Sequence, residues 1–357
     1  MSVIPPSPAR SVCLLRLSAL GDVTHMLPVV RTLQQAWPDC RLTWIIGKTE
    51  YQLVEGMENI EFIIFDKSQG LKAYWQLRRQ LGGRRFDILL HMRAALRASL
   101  ISLLIKAPLK VGFDKARAAD FQWLFSNRKI APLARQHVLD GFFGFLTAIG
   151  IDARLMHWTP PIPPDAVAFA RQAIDPARPC LVINPCSSAR RNNYRNWHAE
   201  RYAEVADYAA EKHGLQVVLT GGGSTAERDM ADRIAQRARQ PLIDLVGRTS
   251  IKQLLAVLAR ARLIIAPDTG PLHMGTAVGT PVIGLFATSN PARTGPYNDL
   301  DAVVNAYPQA ISAEFGKTPD QVKWGQRVRN PEAMDLLTVE AVTRQLDKSL
   351  AALSSTH

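Results

Sequence analysis

Leu263-Ile264-Ile265-Ala266-Pro267-Asp268-Thr269-Gly270-Pro271-Leu272-His273 decides how this chain is read. The apolar run 263–266 has the character of a buried parallel strand. The small residues Met274-Gly275-Thr276-Ala277-Val278 that follow can continue as a helix. A strand that turns sharply into a helix aims free backbone N–H groups and the positive end of a dipole at one point. Gly270 lets a ligand approach the backbone closely there. Asp268, Thr269 and His273 add an acceptor, a hydroxyl and an imidazole around the same point. Such a set suits a diphosphate with a polar group attached, as in a nucleotide sugar.

Outward from this stretch, strand-like and helix-like segments alternate. Strands are expected at 180–183, 216–220 and 282–286, and helices at 199–212 and 225–237. Gly214 stands at a C′ position after the first of these helices. Ile251, Leu254, Leu255 and Leu258 fall on one helical face. The first half repeats the pattern: strands at 12–17, 42–46, 62–65 and 87–90, with helices at 23–37, 71–81 and 94–105. Strands separated by helices imply βαβ units and doubly wound parallel sheets. Between the halves lies Thr159-Pro160-Pro161-Ile162-Pro163-Pro164, whose prolines fit neither a sheet nor a helix interior. The expected layout is a first domain at 1–158, a stiff linker at 159–165, a second domain at 166–335, and a helical tail at 336–357 that packs back toward the first domain. In open parallel sheets the ligand crevice lies at the strand C-terminal ends, and the crevice between the two domains is the expected site.

Composition agrees with two packed domains: 357 residues, of which 47% are hydrophobic, supply enough apolar side chain for two cores. The longest apolar runs, such as 100–105, are too short to span a bilayer. The proline-rich lead-in 1–10 lacks the apolar centre of a signal peptide. Cys13, Cys40, Cys180 and Cys186 show no CxxC spacing and read as reduced thiols of a cytoplasmic protein. The net charge of +12 is unevenly spread, and residues 66–135 hold 15 Lys and Arg against 4 Asp and Glu. Such a field suits an anionic partner, whether phosphorylated sugar or lipid, membrane surface or nucleic acid; a merely solvated basic face is the plainer reading.

Chemistry-bearing residues cluster at strand ends. Asp22 follows Gly21 in the turn Leu17-Ser18-Ala19-Leu20-Gly21-Asp22-Val23. A carboxylate there can take a proton from an attacking hydroxyl, or it can simply cap the next helix. Pro28 falls inside that helix and should kink it or limit its first hydrogen bonds. After the strand 180–183 comes a loop with Ser187, Ser188 and three arginines, ending Arg195-Asn196-Trp197. Arginine forks match diphosphate oxygens, while Trp197 reads equally as a packing anchor. Gly221-Gly222-Gly223-Ser224 is neither a dinucleotide fingerprint nor a P-loop; Glu227 behind it can hold a ribose hydroxyl. Thr249 or Ser250 reads as a helix N-cap that also borders a base. Asp299-Leu300-Asp301 reads as a turn, and no metal-ligand spacing appears, so no metal is expected.

Taken together, Leu17–Val23 with Pro28, Arg195-Asn196-Trp197, Gly221-Gly222 with Glu227-Arg228, Gly247-Arg248-Thr249-Ser250 and Pro267–His273 resemble glycosyltransferase family 9, the bacterial ADP-heptose:lipopolysaccharide heptosyltransferases. The resemblance runs from about residue 12 to the C-terminal helix. It implies an α/β GT-B fold: two Rossmann-like doubly wound parallel-sheet domains facing across a cleft, the second binding the nucleotide sugar and the first the acceptor. It implies an inverting, metal-independent transfer of heptose from ADP-heptose to a Kdo or inner-core heptose hydroxyl on lipid A, with no cofactor. Asp22 matches the proposed base. Arg195 stands where the family commonly has a lysine on the diphosphate, and Ser187 and Ser188 resemble a Thr-Thr pair. Glu227 matches a ribose contact and Thr249 falls near the adenine. Thr269, Gly270 and His273 match diphosphate and sugar contacts beside Asp268. The basic segment gains a task, steering an anionic, membrane-embedded acceptor through Arg78, Arg79, Arg84, Arg85, Arg93, Arg97, Lys115 and Arg117. Localisation is then cytoplasmic, peripheral on the inner membrane. Three rivals remain: a related transferase with another nucleotide sugar, a nicotinamide enzyme (which the Ser18–Asp22 turn fails, lacking GxGxxG), and a basic nucleic-acid or regulatory binder.

Overall fold

The computed structural model describes residues 8–187 and 194–355. Its two compact units divide between Pro161 and Ile162. Among the described residues no helix is long and apolar enough to cross a membrane.

The first unit is built on β1 (Ser11–Leu15), β2 (Arg41–Gly47), β3 (Glu61–Phe65), β4 (Ile88–His91), β5 (Leu109–Gly112) and β6 (Arg128–Lys129). All pair in parallel, in the order β3-β2-β1-β4-β5-β6. A parallel sheet covered on both faces needs strands that are apolar throughout, and β1 and β4 are buried along their whole length. The connecting helices are α1 (Leu20–Ala36), α2 (Lys48–Val54), α3 (Leu71–Leu81), α4 (Leu96–Leu104) and α5 (Val138–Thr147). Ala73, Leu77 and Leu81 of α3 and Ala98 and Ile101 of α4 share one core with Cys13, Leu15, Ile45 and Leu89 of the sheet; α5 packs on α1. Pro28 does not end α1, which runs through it. The carbonyl of Pro28 accepts from Thr32 Oγ1 at 2.7 Å.

The second unit repeats the plan. Its strands are β7 (Cys180–Ile183), β8 (Gln216–Leu219), β9 (Leu242–Asp244), β10 (Leu263–Pro267), β11 (Val282–Phe286) and β12 (Val304–Asn305). Their order, β12-β11-β10-β7-β8-β9, is the first sheet's order read from the other side. Its helices are α6 (Pro164–Ala173), α7 (Ala199–His213), α8 (Thr225–Arg237), α9 (Ile251–Arg260), α10 (Gly270–Ala277), α11 (Pro291–Thr294), α12 (Tyr307–Phe315) and α13 (Val339–Ser354). α6 begins inside the expected linker because Pro164 suits the first helical position, where no N–H is needed. Ser224 and Ser250 cap α8 and α9, each with a reciprocal side chain three residues on. The tail helix α13 lies on α7 of its own unit. There Asp347 accepts from Tyr208, Lys212 and His213 at 2.9, 2.8 and 2.7 Å.

In each sheet the strand order reverses direction between the first strand and its fourth-strand neighbour. The first unit therefore has its switch point between the ends of β1 and β4, and the second between the ends of β7 and β10. Such points are where doubly wound sheets bind ligands.

Candidate active site

At the β1/β4 switch point the chain brings Arg16, Asp22 and Arg93 together. Arg16 leaves β1 as a buried side chain, with its guanidinium carbon 4.9 Å from the centre of the Phe142 ring. It donates to the Met92 carbonyl and forms an ion pair with Asp22 Oδ2. Burial pushes the Arg16 pKa below its usual value, and the Asp22 charge works against that shift. Arg93, just beyond β4, lies 3.9 Å from the same oxygen and donates to the Ser18 carbonyl at 3.2 Å. Asp22 is not the N-cap of α1. Ala19 is, and Asp22 sits three residues on, its carboxylate accepting from the Ala19 N–H at 3.2 Å. That position keeps 28% of the Asp22 side chain open to solvent. A carboxylate held at a strand end by two arginines and still reachable is suited to meet an incoming hydroxyl.

Around this centre the basic residues separate. Arg93 and Arg97 follow β4, and Lys115 and Arg117 follow β5, so all four lie toward the Asp22 edge of the sheet. Arg97 and Lys115 are exposed. Arg117 is engaged within the unit, with Asp114 and with the Ala131 carbonyl at 2.7 Å. Arg78 and Arg79 occupy the last turn of α3, which places them toward the opposite edge, where β4 begins. Arg79 lies over the Trp75 ring there. Arg84, at that same edge, pairs with Glu61 at 2.6 Å.

The β7/β10 switch point holds the second constellation. Asp268 directly follows β10, its carboxylate turned into its own unit. It accepts from Ser289 Oγ at 2.7 Å, with Thr294 Oγ1 at 3.5 Å and the Arg195 and Arg327 guanidinium groups at 3.5 and 4.0 Å. Arg195 also donates to the main-chain carbonyl of Asp268 at 2.8 Å. Thr269 is the N-cap residue of α10, in extended conformation and without a side-chain capping bond. The first N–H groups of α10, those of Gly270 and, past Pro271, of Leu272, therefore emerge beside Arg195, an arrangement that draws anions. His273 is buried on the first turns of the same helix.

Ser187 is buried beneath this point, its N–H and Oγ both directed at Asn196 Oδ1, at 2.8 and 3.1 Å. Ser188, the other expected diphosphate contact, lies outside the described residues. Trp197 is an anchor, buried and donating to the Leu337 carbonyl at 3.1 Å. Glu227 folds back on its own loop, accepting from Gly222 N–H at 2.7 Å and from Ser224 through both its N–H and its Oγ. A Cβ at Gly222 would meet Glu227 Oε2 at 2.7 Å, so this glycine makes room for the carboxylate. Ser250 caps α9 and Thr249 is half-buried just before it. Asp299 is the N-cap of the 3-10 turn Leu300–Ala302, which contains Asp301. Burial pushes Asp299 up to about 6, with Asp301 adding to the rise. Among the described residues no group of three or more His, Cys, Asp or Glu side chains is arranged to hold a metal.

A family model described as glycosyltransferase family 9 (heptosyltransferase) matches residues 74–324. The chain belongs to glycosyltransferase family 9. It is 41% identical to the lipopolysaccharide core heptosyltransferase OpsX of Haemophilus influenzae, over 95% of this chain and 96% of that one. It is 24% identical to an Escherichia coli lipopolysaccharide heptosyltransferase 3, over 92% of this chain and 96% of that one. Among solved structures, a family 9 glycosyltransferase from Veillonella parvula aligns with a TM-score of 0.78 at 22% identity, covering 96% of this chain and 97% of that one. E. coli heptosyltransferase WaaC with ADP aligns with a TM-score of 0.69 at 19% identity, covering 95% and 99%. The family 9 chain is thus a glycosyltransferase of GT-B fold, with two Rossmann-like parallel-sheet units. Residues that pattern reading missed in this family 9 site are Arg16, Ser289, Thr294 and Arg327, while Asn196 was read only as part of the segment Arg195-Asn196-Trp197. Only Arg16 carried a signal, a charge inside the apolar run 12–17.

Proposed function

We propose that this protein transfers heptose from ADP-L-glycero-D-manno-heptose to a hydroxyl of Kdo, or of an inner-core heptose, on lipid A-linked lipopolysaccharide core. The observation that carries the reading is Asp22, still reachable from solvent at the first switch point and held there by Arg16 and Arg93. The relatives' names and the ADP held by WaaC support the donor and the class of acceptor.

In this reading the acceptor O–H gives its proton to the Asp22 carboxylate as the oxygen attacks the anomeric carbon. The bond from that carbon to the diphosphate oxygen breaks, and ADP leaves with the electron pair. One carboxylate and one displacement invert the anomeric centre. Charge grows on the departing diphosphate, where Arg195 and the N-terminus of α10 meet it; preorganised donors of this kind each contribute about 3–4 kcal/mol to such a barrier. These groups supply positive charge at the leaving group, which supports a metal-independent step. Thr269, Gly270 and His273 hold the diphosphate and sugar, with Ser187 at the same end. Glu227 and Thr249 bound the nucleoside. Asp268 acts through Arg195 rather than on the donor. Arg93, Arg97, Lys115 and Arg117 receive the anionic acceptor, and the protein works peripherally on the cytoplasmic face of the inner membrane. Arg78 and Arg79, toward the other edge of the sheet, are assigned no contact with the reacting hydroxyl.

The test is incubation with ADP-heptose and Kdo-lipid A acceptors of defined Kdo and phosphate content, read by mass spectrometry. Addition of one heptose with release of ADP is expected, also in chelator. Thermal shifts with ADP, UDP and GDP separate a different donor, because bound nucleotide stabilises by mass action. Absence of product from every acceptor, or stabilisation by UDP or GDP in preference to ADP, overturns the reading.

A further inference from the structure

Helix α4 carries apolar side chains on both its buried and its outer side. Its buried side carries Ser99 and Ser102 beside Ala98 and Ile101, while Leu96, Leu100 and Leu103 are exposed, Leu103 by 63%. Spacing of four and three residues places these leucines on one helical face. A helix that only had to pack on its sheet would turn the leucines in and the serines out. Beside α4 lies the 3-10 turn Gln122–Phe125, in contact with it. The turn is fastened from below by Gln122, fully buried, whose Nε2 donates to the His91 carbonyl at 2.7 Å. The Leu96 N–H donates to Asp120 at 3.1 Å and ties the turn to the start of α4. With Gln122 pinned inward, its neighbours Phe121, Trp123 and Leu124 stand outward, Phe121 by 68%. Six large apolar side chains thus project from two adjoining elements.

The charge around them has one sign. Residues 93–130 contain eight lysines and arginines against two aspartates. Asp114 is paired with Arg117 and Asp120 is bonded to the start of α4. Arg97 and Lys106 flank the leucine row, and Arg128 and Lys129 follow the turn, all four exposed. Apolar side chains that enter the acyl boundary, a tryptophan at headgroup level and a cationic surround are the physical requirements of an interfacial anchor. Anionic headgroups attract the lysines and arginines, and that attraction fades within a Debye length. A second copy of the chain would press like charges together, and nucleic acid offers nothing for the leucines to enter.

We propose that the outer face of α4 and the 121–124 turn dock on an anionic lipid bilayer. For its purpose the proposal rests on the lipid-linked acceptor read above: Arg93, 3.9 Å from Asp22, comes three residues before the start of α4, so a headgroup held in the bilayer would be presented at the first switch point. The chemistry of the face itself does not depend on that reading.

The experiment is co-sedimentation of the full chain with vesicles of phosphatidylethanolamine and phosphatidylglycerol, and separately with phosphatidylcholine alone. The wild type is compared with the double variant Leu100→Ser/Leu103→Ser and with Trp123→Ser. These sites are exposed, and unchanged thermal midpoints and ADP binding verify folding. The wild type is expected to partition onto the anionic vesicles at least about tenfold more than onto neutral ones, and both variants to lose about tenfold. Raised salt should release it. Turnover should fall in the variants for vesicle-embedded acceptor and stay unchanged for the same sugar headgroup without acyl chains. Absence of vesicle binding, equal binding to neutral lipid, or undiminished binding by both variants overturns the proposal. So does a dimer that the variants dissociate without any lipid binding. If neither acceptor turns over while lipid binding follows the expected pattern, the transfer reading falls and the docking surface stands.

Discussion

Arg195 joins the two strands of the second switch point: its Nη1 donates to the Asp268 main-chain carbonyl at 2.8 Å and lies 3.5 Å from the Asp268 carboxylate. Arg195 is thereby fixed to the start of α10, and its guanidinium is held beside the first N–H groups of that helix. Serine and threonine hydroxyls from Ser289 and Thr294 complete the hold on Asp268.

Arg195→Lys should keep a charge but lose the planar fork that serves the carbonyl and an incoming diphosphate together. ADP affinity measured by calorimetry is expected to fall about tenfold or more. If ADP binds Arg195→Ala as tightly as wild type, Arg195 is only a strut.

Asp22→Asn should lower turnover by about 10²–10⁴-fold, with ADP affinity nearly unchanged because the groups proposed to hold the donor belong to the second unit. It also leaves Arg16 buried without its counter-charge, at a cost of about 1–3 kcal/mol. A lower melting temperature should therefore accompany the loss of activity, and assays belong well below it. Turnover like the wild type's removes Asp22 from the role of base.

Gly275→Ala tests how tightly α10 is seated. A Cβ there would meet Ile264 Cδ1 at 2.6 Å and Val282 Cγ2 at 2.7 Å. Either those two side chains repack or the helix shifts from β10 and β11, destabilising the unit by about 1–3 kcal/mol and weakening ADP binding with it. Denaturant melts and calorimetry on one sample read both; a variant with both values unchanged shows that α10 has slack.

Asp347 gives a pH dependence. Burial acts to raise its pKa, but hydrogen bonds from Lys212, His213 and Tyr208 overcome this and hold it at about 2, below the ordinary 3.8. A depressed carboxylate stabilises the fold fully above its unfolded value and loses that contribution as pH falls through the folded one. Asp347→Asn should melt earlier than wild type at pH 7, and the gap should close between pH 3.8 and about 2. A gap that persists in acid assigns the role of this cluster to shape instead of charge.

Much of the architecture was legible because periodicity and caps agreed. α3, α8 and α9 fall where the expected helices fall, with Gly82, Ser224 and Ser250 marking ends that local chemistry dictates. α5 escaped notice since Phe142, Phe143 and Phe145 are all buried beside Gly141, leaving no polar face to mark a period. β6 and β12, two residues each, are pairings that only the neighbouring strand defines. At the site, the strand-end positions of Asp22 and Thr269 followed from the βα rhythm. The inward turn of Asp268 did not, because Ser289, Thr294 and Arg327 come from segments remote in sequence. The Ser224–Glu227 capping box follows from a serine three residues before a glutamate at the start of a helix.

That box bears on selectivity. The Glu227 oxygens are already engaged by three donors before any nucleoside arrives. A sugar hydroxyl reaching this carboxylate would swap one bond for another, and such trades leave little net free energy. A deoxyribonucleotide should then compete almost as well as its ribose counterpart, and whatever discrimination the enzyme exercises among nucleotides has to originate at the base or along the phosphates.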